Sequence, residues 1–85
     1  MLSKGGDNTM YTEALSQKLK SARRQTGFTQ REVSSETHIA QPVLALYETG
    51  KRSPDAENLG ILADFYNVSA DWLLGTKGGK QPPQT

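Results

Sequence analysis

Apolar residues recur at helical spacing along the first part of the chain. Leu15, Leu19 and Ala22 lie at i, i+4 and i+7, with basic and polar residues filling the other positions of the turn. This spacing places all three on one face of a helix. We therefore expect an amphipathic helix from about residue 11 to 25 that ends near Gly27, because glycine commonly follows a helix C-terminus.

A second helix is predicted by the sequence "TQRE" at its start. The Thr29 hydroxyl can accept a hydrogen bond from the backbone N–H of Glu32, while the Glu32 carboxylate reaches back to the backbone of Thr29. This reciprocal arrangement is a capping box, which marks where a helix begins. We place the second helix at residues 29–37 and keep it short, because the following "THIA" has little helical tendency.

The third predicted helix, residues 41–49, has apolar residues on two opposite faces. At about 100° per residue, Leu44 and Tyr47 share one side, while Pro42 and Leu46 point the other way. Proline is tolerated in the first turn because backbone N–H groups there have no intrahelical partner. One face can belong to the core, and the other needs a separate explanation.

Two further helices are predicted from their end signals. Ser53 can cap a fourth helix with Pro54 at its first position, and Asn67 can end it in the left-handed conformation. Ser69 can cap a last short helix that Gly75 closes. Apolar residues keep helical spacing along the fourth helix: Leu59, Leu62, Ala63 and Tyr66. With five helices and no convincing strand, we predict a compact all-α fold.

The two ends of the chain differ from the middle in composition. Residues 1–10 and 76–85 are rich in Gly, Pro, Ser, Thr and Gln, so we expect disordered segments on either side of one domain at residues 11–75. No apolar run approaches the roughly 20 residues that span a bilayer, and the N-terminus lacks the apolar middle of a signal peptide. The chain has no cysteine, which excludes disulfides and fits a reducing cytoplasm, where we expect the protein.

Charge is distributed unevenly, although the net charge is only +1. Residues 18–52 carry seven Lys and Arg against three acidic residues, a balance of +4, whereas residues 53–75 carry four acidic residues and no Lys or Arg. A domain split in this way can turn its basic half toward a polyanion. Chance clustering on a solvated surface is the alternative interpretation.

Two short helices joined by a three- or four-residue turn, the second leading into a basic loop, are typical of a helix-turn-helix. With the segments "LSQKLKSARRQTGFTQREV", "LYETGKRSPD" and "LADFYNVSADWLLG" in this order, the sequence resembles the lambda repressor-like, XRE-type helix-turn-helix regulators of bacteria and phage. The resemblance covers about residues 13–75. It implies a five-helix domain, usually a homodimer, whose third helix enters the DNA major groove.

The resemblance also implies roles for individual residues. Positions at the start of the second helix and in the basic loop match those that contact phosphates in the family: Thr29, Gln30, Arg31, Thr49, Lys51 and Arg52. Positions on the third helix match those that read bases: Gln41, Pro42, Val43, Ala45 and Leu46. Arg23 and Glu48 match a pair that forms an ion pair between the first and third helices, for which we expect a structural role.

The outer face of the third helix departs from the family, because Pro42, Val43 and Leu46 stand where many relatives carry polar side chains. Apolar side chains can pack against thymine methyl groups, with Gln41 bonding an adenine edge. The same face can instead bind a protein, since grouped apolar surface commonly marks an interface. As a third alternative, exposed apolar residues are ordinary.

Other functions are weighed against DNA binding. No nucleophile is paired with a base, no glycine-rich phosphate loop occurs, and a lone histidine, His38, is not a metal site, so we expect neither an enzyme nor a cofactor. We expect a repressor that binds an inverted repeat in double-stranded DNA as a homodimer, formed in solution or only on DNA. The alternative is a protein-binding module of the same fold, an antitoxin or anti-regulator. Trp72 is either a dimer anchor or a core residue.

Overall fold

The computed structural model describes the backbone of residues 6–75 and the side chains of residues 12–75. Within these residues the chain forms five α-helices and no strand, which confirms the predicted all-α, five-helix fold. The helices are α1 (Gly6–Thr26), α2 (Gln30–Thr37), α3 (Gln41–Thr49), α4 (Ala56–Tyr66) and α5 (Ala70–Leu74). None of the described helices is long and apolar enough to cross a membrane.

The first helix is longer than its apolar pattern predicts. It has 21 residues and begins at Gly6, so residues 6–10, which the composition assigned to a disordered segment, are helical. The stretch "GDNTM" carries no helical repeat of apolar residues, which is why the pattern does not reveal this extension. The other predicted disordered residues, 1–5 and 76–85, lie outside the described part of the chain.

Side chains cap the starts of α2 and α5 as predicted. Thr29 Oγ1 accepts from the backbone N–H of Glu32 at 3.1 Å, and Glu32 Oε1 accepts from the backbone N–H of Thr29 at 2.8 Å. Ser69 Oγ accepts from the backbone N–H of Trp72 at 2.9 Å. Each cap satisfies a first-turn donor that the helix itself leaves without a partner.

The predicted start of α4 is wrong by two residues. Asp55, rather than Ser53, is the capping residue, and its Oδ1 accepts from the backbone N–H of Asn58 at 2.8 Å. A carboxylate is favoured there because it also meets the positive end of the helix dipole. Pro54 therefore precedes the cap and lies outside the helix, which begins at Ala56.

The core lies where the apolar faces of the helices meet around α1. α1 packs against α3, α4 and α5, and α2 packs against α3 and α4. Four side chains are almost fully buried: Leu19, Val33, Leu62 and Leu73. Trp72 and Leu74 are half-buried against this core, and Lys18 lies over the Trp72 ring with its Nζ 5.0 Å from the ring centroid. These contacts favour a core role for the end of α5.

A tight turn sets the angle between α2 and α3. His38 adopts the left-handed conformation with φ 65°, and its backbone N–H donates to Ser34 O at 2.8 Å. Thr37 is buried, and its hydroxyl donates to Val33 O while accepting from the backbone N–H of Ile39. Hydrogen bonds on both sides of His38 thereby close the turn that connects the end of α2 to the start of α3.

Candidate nucleic-acid interface

The two apolar faces of α3 have different environments. Leu44 and Tyr47 are buried in the core, whereas Pro42 is exposed and Leu46 is half-buried. Val43 is half-buried and packs against the core. The solvent-facing side of α3 therefore consists of exposed Gln41, Pro42 and Thr49, with half-buried Ala45 and Leu46 between them.

The predicted ion pair between α1 and α3 is present. Arg23 Nε donates to Glu48 Oε2 at 2.8 Å and Arg23 Nη2 donates to Glu48 Oε1 at 3.0 Å, so the contact is bidentate. Glu48 is only 6% exposed, which makes its carboxylate dependent on these donors. The hydrogen bond to Glu48 raises the pKa of the Arg23 guanidinium, more than burial lowers it, and Arg23 stays charged.

This ion pair continues outward through two glutamines. Gln30 Nε2 donates to Glu48 Oε1 at 3.1 Å, and Gln41 Nε2 donates to Gln30 Oε1 at 2.8 Å. A continuous row of side chains thus runs from the buried carboxylate to the exposed first turn of α3. It joins the last turn of α1, the start of α2 and both ends of α3, since Glu48 lies in the last turn of α3 and Gln41 at its start.

The direction of the hydrogen bonds in this row follows from Glu48. A carboxylate only accepts, so the amide nitrogen of Gln30 must face it and the amide oxygen of Gln30 must face Gln41. Gln41 consequently uses one N–H within the row and keeps its carbonyl oxygen and second N–H for a ligand. One acceptor and one donor on a planar amide match the N6 and N7 atoms of adenine in the major groove.

The basic loop begins where α3 ends. Gly50 adopts the left-handed conformation with φ 80°, and the backbone N–H groups of Lys51 and Arg52 both donate to Leu46 O, at 3.0 and 3.3 Å. The side chains of Lys51 and Arg52 are exposed. The chain therefore folds back on the C-terminus of α3 and leaves two adjacent cations in solvent.

The other residues predicted to contact phosphate differ in whether their polar groups already make hydrogen bonds within the protein. The Thr49 hydroxyl is exposed but donates to Ala45 O and Leu46 O, at 3.0 and 3.1 Å, so it must leave these carbonyls to donate to a phosphate. The Thr29 hydroxyl caps α2. The Arg31 side chain is exposed in the first turn of α2, beside the backbone N–H groups that favour anions.

Two contacts near this surface have no counterpart in the sequence analysis. Arg23 Nη1 donates to Phe28 O at 2.9 Å, which fixes the residue before the cap of α2. Asn58 Nδ2 donates to the Tyr47 hydroxyl at 2.9 Å and links α4 to α3. Each contact joins two different segments of the chain, and neither an arginine nor an asparagine inside a helix indicates in the sequence which group it will bond.

Comparisons with known proteins agree with this geometry. A protein family described as "Helix-turn-helix" matches residues 19–73. The chain is 42% identical over 62 residues to the HTH-type transcriptional regulator ImmR of Bacillus subtilis (strain 168). The aligned residues make up 73% of this chain and 49% of ImmR. It is 36% identical over 59 residues to the uncharacterized HTH-type transcriptional regulator YqaE of the same organism, covering 69% and 51%. The chain spans about half the length of these relatives.

Proposed function

The chain belongs to the XRE-type helix-turn-helix family of DNA-binding transcriptional regulators, and from this premise we propose that it is a repressor binding an inverted-repeat operator as a homodimer. In this proposal α3 enters the major groove, and Gln41, Pro42 and Leu46 contact base edges. The protein acts in the cytoplasm, where the DNA is accessible. The dimer forms in solution or on the operator.

The observation that carries the proposal is the hydrogen-bonded row from Arg23 through Glu48 and Gln30 to Gln41. A base-reading side chain binds more tightly when it is held in place before DNA arrives, because ordering its rotamers on binding costs free energy. An exposed glutamine without such support has several rotamers. Here the row restrains Gln41 while leaving a donor and an acceptor free, an arrangement suited to an adenine edge.

Exposed cations and a helix N-terminus on both sides of this row are suited to phosphate binding and support the same proposal. Gln30 and Arg31 lie in the first turn of α2, and the exposed side chains of Lys51 and Arg52 follow α3. Helix N-termini and cations both attract phosphate, and such contacts fix the orientation of a protein on the duplex without reading sequence. We propose that these groups hold the backbone while α3 lies in the groove.

Selection of bound sequences from a random duplex pool, at two salt concentrations, tests the proposal. We expect an enriched inverted repeat whose affinity falls as salt rises, because phosphate binding releases counterions. We also expect T·A pairs at the positions that face Pro42 and Leu46. Weak, salt-sensitive binding with no enriched sequence would contradict specific DNA recognition.

Two substitutions separate the assigned roles. Lys51→Ala should weaken binding to all sequences and lower the salt slope by about 1. Gln41→Ala should instead relax discrimination at one base position, at a cost of about 1–3 kcal/mol for the preferred base. Gln17→Ala, an exposed glutamine on α1, is the matched control and should change neither property. Equal losses from the first two variants on cognate and random DNA would overturn these roles.

A second candidate function rests on the exposed Pro42 beside the half-buried Leu46. These two side chains give the start of α3 an apolar outer surface, which suits a protein partner as well as thymine methyl groups. If a protein partner is bound, Leu46→Glu should abolish that binding while Lys51→Ala has little effect. The pool selection decides between the two functions before any partner is sought.

A further inference from the structure

The loop of residues 50–53 is held on one side by α3 and touched on its other side by α1. The contacts with α3 are the backbone hydrogen bonds from Lys51 and Arg52 to Leu46 O. On the side of α1, Thr12 approaches Ser53 and Ser16 faces Gly50; these two residues lie four positions apart and hence on one face of that helix. The loop therefore has two supports, and only one belongs to the helix-turn-helix.

Ser16 faces the start of the loop across a small gap. A methyl group placed on Gly50 would lie 3.5 Å from Ser16 Oγ and 3.8 Å from Ser16 Cβ, which are ordinary contact distances, so the gap between the Gly50 backbone and Ser16 is about the size of one methyl group. Ser16 is buried, and its hydroxyl donates to Glu13 O at 3.0 Å within its own helix. The loop thus meets a small side chain whose hydrogen-bond donor is already used.

Thr12 reaches the far end of the same loop. Its Oγ1 lies 3.5 Å from the Ser53 Oγ, and the methyl group that Gly50 lacks would lie 4.0 Å from Thr12 Cγ2. Thr12 and Ser16 together therefore flank both ends of the loop. Between those ends stand the exposed side chains of Lys51 and Arg52.

We infer that Thr12 and Ser16 are positioning residues for DNA-backbone binding: they fix the loop of residues 50–53 and set phosphate affinity without touching DNA. The inference rests on the proposed function, since it assigns Lys51 and Arg52 to phosphates. Two cations on a loosely held loop must be ordered at each binding event, and that ordering lowers affinity. The small size of Ser16 is the feature that this role requires.

Ser16→Leu tests the inference, because the branched leucine side chain is larger than the methyl-sized gap between Ser16 and Gly50 and should push the loop away from α1. We expect the variant to bind cognate and random duplexes roughly tenfold more weakly, with a salt slope lower by about 1, since a displaced loop loses a phosphate contact. Base preference should not change, because Gln41 is not involved. Ser16→Ala adds no bulk between α1 and the loop, so its DNA affinity and salt slope should equal those of wild type.

Gln17→Leu is the matched control, since it adds the same side chain at the next, exposed position of α1. Circular dichroism and thermal unfolding establish that each variant is folded before binding is measured. A purely structural Ser16 would lower the melting temperature of Ser16→Leu and leave the affinity and salt slope of the folded protein unchanged. That result would overturn the inference.

Thr12→Val removes the hydroxyl next to Ser53 without adding bulk. This variant replaces Ser16→Leu in the binding experiment if Ser16→Leu does not fold. Amide hydrogen exchange at Lys51 and Arg52, measured without DNA, reports the order of the loop directly. We expect faster exchange in Ser16→Leu or Thr12→Val than in Gln17→Leu, and unchanged exchange would refute the anchoring. If exchange responds but wild-type protein selects no DNA sequence, the proposed function fails while the anchoring holds.

Discussion

Glu48 connects the core of the domain to the proposed DNA-binding surface at the level of single residues. Its carboxylate is buried and receives hydrogen bonds from Arg23 and Gln30. Arg23 in turn holds the turn before α2 through Phe28 O. One side chain thus joins the packing of three helices to the placement of Gln30 and, through it, Gln41.

Glu48→Gln should destabilise the domain and weaken DNA binding together. The new amide can accept through only one oxygen, and its NH₂ group faces donors, so a donor of Arg23 or Gln30 loses its acceptor. We expect a loss of about 1–3 kcal/mol in the free energy of unfolding, measured by urea denaturation. Glu36→Gln, an exposed glutamate on α2, is the control and should stay within about 0.5 kcal/mol. Equal effects of both substitutions would contradict this role.

Tyr66 makes the stability of the domain depend on pH in the alkaline range. Burial, helped by the negative charge of Glu48, raises the pKa of Tyr66 to about 12, against the opposing effect of Arg23. The folded state therefore favours the protonated phenol. This contribution is complete below the unfolded pKa of about 10 and is lost as pH rises toward 12.

Tyr66→Phe should remove the loss of stability that ionisation of Tyr66 causes at alkaline pH. We expect the difference in unfolding free energy between wild type and Tyr66→Phe to be constant from pH 7 to about pH 9.5 and then to move steadily against wild type up to about pH 12. Urea denaturation at a series of pH values measures the difference, and other titrating groups cancel between the two proteins. A pH-independent difference through pH 11.5 would show that the phenol is not protected by folding.

At the scale of the helices, sequence signals succeed where they are local. The capping box of Thr29 and Glu32, the left-handed end at Asn67 and the end of the last helix at Gly75 involve residues within a few positions of each other, and all are found as predicted. The prediction of Ser53 as the cap of α4 is wrong because a second capping residue, Asp55, follows two positions later, and Pro54 is compatible with either helix start. The links from Gln30 to Glu48 and Gln41 depend on how helices pack, so no local pattern contains them.

At the start of α3, a proline reduces the stabilisation that a capping side chain can provide. Ala40 precedes α3 with φ −58° and ψ 139°, and no side chain caps the helix. Pro42 has no N–H to donate, and the N–H of Val43 already donates to Ala40 O at 2.9 Å. A capping hydroxyl at position 40 therefore finds fewer free donors than at an ordinary helix start, which explains why alanine is tolerated there.

Ala40→Ser should accordingly stabilise the domain by only about 0.5 kcal/mol, the low end of the range for capping residues. Ser69→Ala, at the cap of α5, provides the comparison and should cost about 1 kcal/mol because its hydroxyl accepts from Trp72 N–H. Thermal unfolding of both variants against wild type measures the two values. A gain at position 40 larger than the loss at position 69 would show that Pro42 does not limit capping.

At the scale of the whole molecule, the proposed dimer makes a geometric prediction about its operator. Two α3 helices related by a twofold axis meet successive major grooves on one face of DNA when the half-sites lie about 34–36 Å apart, or 10–10.5 base pairs. A repressor of this kind binds both half-sites together. The operator found by selection provides the duplex in which this spacing can be changed.

Inserting five base pairs between the half-sites should lower affinity roughly tenfold or more, because half a helical turn moves one half-site to the opposite face of the duplex. Deleting one half-site should have a similar effect, since either change leaves a single α3 in contact. Electrophoretic mobility shift with the three duplexes measures both losses and the number of protomers bound. A chain that binds each half-site independently would have the same affinity per half-site in all three duplexes. That result would refute the dimer but not base recognition by α3.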